Sequence, residues 1–79
     1  MAPPRSIHRE HLLNKLRALG FRFKKQSERV DLFHRPTDGC RVEVRRKDLL
    51  DEQACRIILR QAGCAAAEVN EFCGAARAN

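Results

Sequence analysis

Residues 21–47 read FRFKKQSERVDLFHRPTDGCRVEVRRK, and this segment decides the fold. At residues 21–24 and again at residues 40–45, every second side chain is apolar and the side chains between them are charged. Successive residues of a β-strand point to opposite faces, so this alternation predicts strands with one buried face and one cationic face. The turn formers Pro36 and Gly39 lie between the last two strands and predict a hairpin.

Three antiparallel strands are expected, at residues 21–26, 30–35 and 40–45, with Phe21 and Phe23 facing inward in the first. The middle strand has two possible phases, because Leu32 and Phe33 are adjacent and cannot share a face. If Leu32 faces inward, then Phe33 faces outward and could stack on an unpaired base. If Phe33 faces inward, His34 joins the cationic face.

Helical patterns flank this meander on both sides. The leucines of residues 12–19 predict a helix over residues 7–19, capped by Ser6. Asp51 is expected to cap a second helix that ends at Gly63, and Gly74 is expected to end a third helix over residues 64–73. The buried stripe of the second helix is predicted to contain Ala54, Cys55, Ile58, Leu59 and Ala62. The order helix, three strands, helix, short helix predicts an α+β fold.

The chain has 79 residues, which predicts one domain, at residues 6–74, between a disordered lead (1–5) and a flexible tail (75–79). The net charge is +6, of which residues 21–47 contribute +5. Such a basic segment suits nucleic acid, an anionic membrane or an acidic protein. Neither a membrane-spanning run nor a secretory signal is seen in the sequence, so we expect a cytoplasmic protein that does not act on membranes.

The four cysteines do not form a metal-binding pattern. Cys40, Cys55, Cys64 and Cys73 are separated by 15, 9 and 9 residues, with no C-x-x-C pair and no histidine at ligand spacing. We therefore expect no metal or other cofactor, and we expect the first three cysteines to act as small core residues. Cys73 is predicted to be the most exposed thiol and to allow an intermolecular disulfide in a protein that is a monomer or weak dimer.

Several segments resemble the HicA family, the small messenger-RNA-cleaving toxins of bacterial toxin–antitoxin pairs, which have a fold like that of double-stranded RNA-binding domains. The likeness spans about residues 9–73. It is carried by the leucines and the Gly-Phe pair of residues 12–21, by FHRPTDGCRVEV at residues 33–44, and by ILRQAG at residues 58–63. The resemblance implies the same helix–meander–helix scaffold.

The sequence departs from the family at its catalytic motif. HicA proteins carry Gly-Ser-His at the start of the second strand, where this chain has Glu28-Arg29-Val30. If two residues are inserted, Ser27 matches the serine and Glu28 stands in place of the histidine. Neither alignment supplies an imidazole, the usual group for proton transfer near neutral pH. His34 is the remaining weak candidate, so we expect a binding protein rather than an enzyme.

The sequence therefore predicts a non-catalytic, HicA-like basic module that binds nucleic acid or a nucleic-acid-handling complex. Its size and charge also suit a phage-encoded inhibitor of host defence, of the anti-CRISPR type. An mRNA-cleaving toxin with relocated chemistry is the alternative, and a protein-interaction scaffold that does not contact nucleic acid is a third possibility. The predicted contact residues are Arg22, Lys24, Arg29, Phe33, Arg35, Arg41, Arg45, Arg46 and Lys47.

Overall fold

Short strands precede both of the first two helices in the computed structural model, which describes residues 5–76. The elements are β1 (Ser6–His8), α1 (Arg9–Ala18), β2 (Arg22–Gln26), β3 (Val30–Arg35), β4 (Cys40–Arg45), β5 (Leu49–Asp51), α2 (Glu52–Gln61) and α3 (Ala66–Ala76). Strands β2, β3 and β4 form an antiparallel meander in that order, and β1 pairs with β5 in a separate two-stranded ribbon. The predicted α+β class is confirmed, while the ribbon was not anticipated.

The phase of the middle strand is the one that buries Phe33. Phe33 pairs in register with Phe23 on one side and with Val42 on the other. Phe33 is 5% exposed and Val42 is 1% exposed, so this side of the meander faces the core. The outward orientation considered for Phe33 is wrong, because burying the larger aromatic ring outweighs leaving Val30 and Leu32 half-buried on the other side.

The ribbon explains why Ser6 is not a helix cap. Ser6 lies in β1, and Ile7 pairs with Leu50 of β5, which buries both apolar side chains. The first amide of α1, at Arg9, donates to the carbonyl of Asp48 (2.9 Å), and that of α2, at Glu52, donates to the carbonyl of Arg5 (3.0 Å). Backbone carbonyls of Arg5 and Asp48, which directly precede the two ribbon strands, thus bond the helix ends, and neither His8 nor Asp51, the cap residues, makes a side-chain cap bond.

The three helices and the inner face of the meander share one hydrophobic core. In α2, Cys55, Leu59 and Ala62 are buried as expected and Ile58 is partly buried, whereas Ala54 is exposed. Helix α2 ends as predicted before Gly63, whose φ of +96° favours glycine. The remaining core side chains come mainly from α1 and the strands and include Ile7, Leu12, Leu16, Phe21 and Val44.

Helix α3 extends past the predicted stop. Gly74 lies inside it, and the helix continues to Ala76, which is buried together with Val69 and Cys73. Glycine lowers helix propensity by about 1 kcal/mol relative to alanine, an effect that docking of the last turn against the core offsets. The predicted tail therefore begins within a helix at residues 75 and 76, while residues 77–79 and residues 1–4 of the predicted lead lie outside the described part of the chain.

Candidate functional site

The side of the meander opposite Phe33 and Val42 carries four exposed cations, and we call it the open face. Cross-strand register defines its rows, because directly opposed residues share a face. Arg22, His34 and Arg41 form one row across the three strands. The other rows are Lys25, Leu32 and Glu43, and then Val30 and Arg45.

Four cations of the open face, Arg22, Lys25, Arg41 and Arg45, are exposed. Within residues 5–76 none of their side chains forms an ion pair, whereas Arg9, Lys15, Arg35, Arg46 and Arg56 each do. Glu43 is the single carboxylate in these rows. It forms no ion pair with another described residue. The open face therefore presents charge that a partner can neutralise.

A recess next to the β2–β3 turn extends this positive surface. Its volume is about 550 Å³, and it is lined by Glu28, Arg29, Val30, Arg45, Arg46 and Lys47. Four of these six side chains are cationic, and Arg29 and Lys47 are exposed without an ion pair to any described residue. We call this the cationic recess. Its size and charge suit an anionic group such as a phosphate.

Arg46 builds the recess through its own hydrogen bonds, and its predicted role as a contact residue stays a prediction. Its guanidinium donates to the carbonyls of Ser27, Glu28 and Val30 and to the carboxylate of Asp31 (3.2 Å). Asp31 also accepts from Arg9 of α1 (2.6 Å). This cluster ties the β2–β3 turn to the chain after β4 and to the first turn of α1.

Arg35 also turns inward, against prediction, because it lies two residues after Phe33 and shares its side. Its guanidinium lies 4.8 Å from the centre of the Phe21 ring and donates to the Asp38 carboxylate at 3.0 and 2.7 Å. The side-chain bond from Arg35, followed by the backbone bond from Cys40, lowers the pKa of Asp38 to about 2. The same bond to Asp38 raises the pKa of Arg35. The pair closes the β3–β4 turn.

Of the two phases considered for β3, the structure has the one that turns Phe33 toward the core and His34 toward the open face. Phe33 is buried and cannot stack on a base, whereas His34 is half-buried on the open face between Arg22 and Arg41. Phe23 is 56% exposed, but it lies on the core side of edge strand β2, where its ring meets Phe33 edge-on at 5.9 Å. The open face thus offers charge and hydrogen-bonding groups, with the His34 imidazole as its ring and no Phe, Tyr or Trp.

Lys25 is the open-face residue that the sequence pattern missed. Alternation from Phe21 and Phe23 predicts an inward Lys25, but the register shifts between Phe23 and Lys25, and Lys25 then opposes Leu32 on the open face. Lys24 is the extra residue of this bulge and is exposed. No local sequence signal marks the bulge, because it depends on pairing with β3.

The cysteines follow burial rather than position in the chain. Cys73 is 0% exposed, so its predicted exposure is wrong, whereas Cys40 is half-buried and is the most accessible of the four thiols. Burial raises the pKa of Cys55 to about 12 and also raises the pKa of Cys64. Among residues 5–76, no group of three or more His, Cys, Asp or Glu side chains is placed to hold a metal ion.

Comparison with known proteins leaves the site to be interpreted from its own chemistry. No protein-family model matches the chain, and no curated protein sequence matches it. The resemblance to HicA proteins therefore stays a prediction. Within the part of the chain that the structure describes, no helix is long and apolar enough to cross a membrane.

Proposed function

We propose that this protein is a non-catalytic basic module that holds a single strand of nucleic acid by its phosphates across the open face. The supporting observation is the set of four exposed cations, Arg22, Lys25, Arg41 and Arg45, that flank the central strand without ion pairs to other described residues. The cationic recess continues the path at the end of β4 through Arg29 and Lys47.

Charge at the start of α2 favours a single strand over a duplex. A reader of double-stranded RNA usually places Lys or Arg at the start of its last helix, where they contact phosphates. Here Asp48 and Asp51 are exposed at that place and Glu52 is half-buried, and these acids repel a duplex backbone. With no Phe, Tyr or Trp on the open face, base stacking there is limited to the half-buried His34 and to guanidinium planes, so the proposed binding depends little on sequence and is modest in affinity.

The strength of this binding depends steeply on salt. If about five phosphates are neutralised, log K for a single strand falls with log salt at a slope of about −3.5, which is a ~100-fold loss between 50 and 200 mM salt. Fluorescence anisotropy with a labelled 12-nucleotide single-stranded RNA measures this slope directly. A slope near zero would contradict the proposal.

A matched pair of charge reversals locates the surface. Arg41 and Arg17 are both exposed, but Arg17 lies on α1, where it donates to Asn14 of the same helix (3.0 Å). Arg41→Glu and Arg17→Glu change the net charge equally. We expect Arg41→Glu to weaken binding about tenfold at 50 mM salt and to lower the salt slope by about 1, with much less change for Arg17→Glu. Equal losses would show that only overall charge matters.

The cellular setting follows from the same surface as a narrower proposal. A HicA-like scaffold without the catalytic motif, acting in the cytoplasm of a bacterium or a phage-infected host, suits an inhibitor that occupies the nucleic-acid path of a defence complex. The test is a plasmid-interference assay of a CRISPR-bearing host that expresses the chain. Restored plasmid uptake, lost with Arg41→Glu but kept with Arg17→Glu, supports this role, and unchanged interference refutes it.

The position of His34 favours a ribonuclease as the second candidate. An imidazole between Arg22 and Arg41 can accept a proton from a ribose 2′-hydroxyl while the guanidiniums stabilise charge on the phosphate. Arginine does not exchange its proton in proteins, so neither neighbour in this row supplies the general acid. Incubation of the pure protein with RNA in EDTA decides between the two. Scission that His34→Ala abolishes would establish the enzyme, and intact RNA would exclude it.

A further inference from the structure

A second surface lies along the outer edge of β4. A groove of about 1180 Å³ runs between residues 41–45 of β4 and an outward stripe of α2 formed by Ala54, Ile57, Ile58 and Gln61, with Leu49 of β5 also lining it. We call it the β4 groove. Among the described residues, the three large apolar side chains that stay exposed are Phe23, Leu49 (47%) and Ile57 (51%). Two of these three line the same groove.

The wall formed by β4 can accept a further strand. The meander is ordered β2-β3-β4, and within residues 5–76 no strand pairs with the outer edge of β4. An edge strand offers backbone amides and carbonyls to an extended peptide, and side-chain pockets beside it select alternate residues of that peptide. Here Ala54, Ile57 and Ile58 of α2 supply apolar contacts at i, i+3 and i+4 spacing, and Gln61 follows at i+7.

Charge distinguishes the two ends of the β4 groove. Val30, Arg45 and Lys47 line both the groove and the cationic recess, so the two spaces are continuous. Glu43 and Asp51 also line the groove, but the recess has four cations and one carboxylate. An apolar groove with one strongly basic end fits a protein segment that is apolar along its length and acidic at one terminus. A nucleic-acid strand would leave Leu49 and Ile57 without apolar partners.

We propose that the β4 groove binds an extended segment of a partner protein, which adds to β4 as a strand. Its alternate apolar side chains rest on Leu49 and Ile57, and acidic residues at one end lie beside Arg45 and Lys47. This surface shares Arg41 and Arg45 with the open face, but it goes beyond the proposed nucleic-acid binding, because Arg22 and Lys25 do not line the groove and Leu49 and Ile57 do.

The probe is a random heptapeptide library displayed on phage and selected against the full chain. We expect the enriched peptides to alternate apolar residues and to carry Asp or Glu at one end. Synthetic copies should bind with micromolar Kd in fluorescence polarisation, and NMR amide shifts should concentrate in β4 and α2. A proline at the centre of the peptide removes an amide donor and should abolish binding. Failure to enrich peptides of this pattern overturns the proposal.

Substitutions separate the groove from other apolar surface and from the open face. Ile57→Asn should weaken the selected peptides about tenfold, since it removes a half-exposed apolar contact. Phe23→Asn is the matched control, because Phe23 is as exposed as Ile57 but lies away from the groove. Arg22→Glu should weaken RNA and spare the peptides. Equal peptide loss with Ile57→Asn and Phe23→Asn refutes the site and leaves the proposed open-face function standing. Loss of RNA binding alone with Ile57→Asn also refutes it, because nucleic acid would then occupy the groove.

Discussion

Replacement of Asp31 by asparagine tests the ion cluster that holds the candidate site together. The carboxylate is 14% exposed and accepts from Arg9 at 2.6 Å and from Arg46 at 3.2 Å. Asp31→Asn keeps the shape of the side chain but removes the charge that both guanidiniums face. Arg46 in turn bonds the carbonyls of the β2–β3 turn, so the change affects three segments at once.

The magnitude follows from burial. A hydrogen bond between charged groups contributes about 1.5–3 kcal/mol when buried, and exposed ion pairs contribute about 0.2–1 kcal/mol. Arg9 is 21% exposed and Arg46 is 31% exposed, so each contact falls between these limits, at roughly 1 kcal/mol. We expect Asp31→Asn to lower the free energy of unfolding by about 2 kcal/mol. For a domain of this size that lowers Tm by about 10 °C, out of a total stability of roughly 4–12 kcal/mol.

Thermal unfolding followed by circular dichroism measures the effect, with Glu43→Gln as the matched control. Both substitutions remove one carboxylate from the meander, but Glu43 is exposed on the open face and forms no ion pair with another described residue. We expect Glu43→Gln to change Tm by less than about 2 °C. Equal Tm values for the two variants would refute the cluster. A loss that disappears in 1 M salt would show that Asp31 acts as an exposed charge.

Three further predictions concern the corrected positions. Phe33→Ala should lower the free energy of unfolding in urea by about 3–4 kcal/mol and Phe23→Ala by less than about 1 kcal/mol, and similar losses would mean that Phe33 is not in the core. The pKa of Asp38 is lowered to about 2 from an ordinary 3.8, so its stabilising contribution is full above about pH 4 and is lost as pH falls toward 2. Asp38→Asn should therefore flatten the fall of the urea midpoint between pH 4 and pH 2, and an unchanged fall would contradict the Arg35 contact. Iodoacetamide at pH 8 should modify Cys40 before the other cysteines, as read by peptide mass, and early modification of Cys73 would contradict its burial.

The fold was predictable where local pattern and tertiary packing agree. Strand β4 follows the alternation of Val42 and Val44, and it begins and ends where the sequence predicts. The β1–β5 ribbon was not predictable from short-range signals, because each strand has three residues and forms only by pairing with the other across about forty residues of chain. Ser6 has the chemistry of a helix cap, but pairing of Ile7 with Leu50 draws it into a strand.

The choice of which face of β3 is buried accounts for the main differences between the predicted and the observed site. Because alternate residues of a strand share a face, burial of Phe33 places Asp31 and Arg35 on the core side and His34 on the open face. The sequence of β3 allows either phase, because Leu32 and Phe33 are adjacent apolar residues that point to opposite faces. Burial of the larger Phe33 ring favours the observed phase, and Arg9, Arg46 and Asp38 neutralise the charges that this phase turns inward. Those partners come from other elements, so the β3 segment alone does not reveal them.

The charge available for the proposed binding is therefore smaller than the net charge of +6, and it is concentrated on one side of the meander. Arg9, Arg35 and Arg46 are chemically identical to Arg22 and Arg41, but the first three lie within reach of carboxylates and turn carbonyls and serve the fold. Six cations without ion pairs to described residues fall on the open face and at the cationic recess: Arg22, Lys25, Arg29, Arg41, Arg45 and Lys47. Arg9 and Arg46 share Asp31, and Arg35 holds Asp38, so these two carboxylates of the meander are engaged away from the open face. The open face retains four cations against Glu43 alone, and this local imbalance is what an anionic strand would meet.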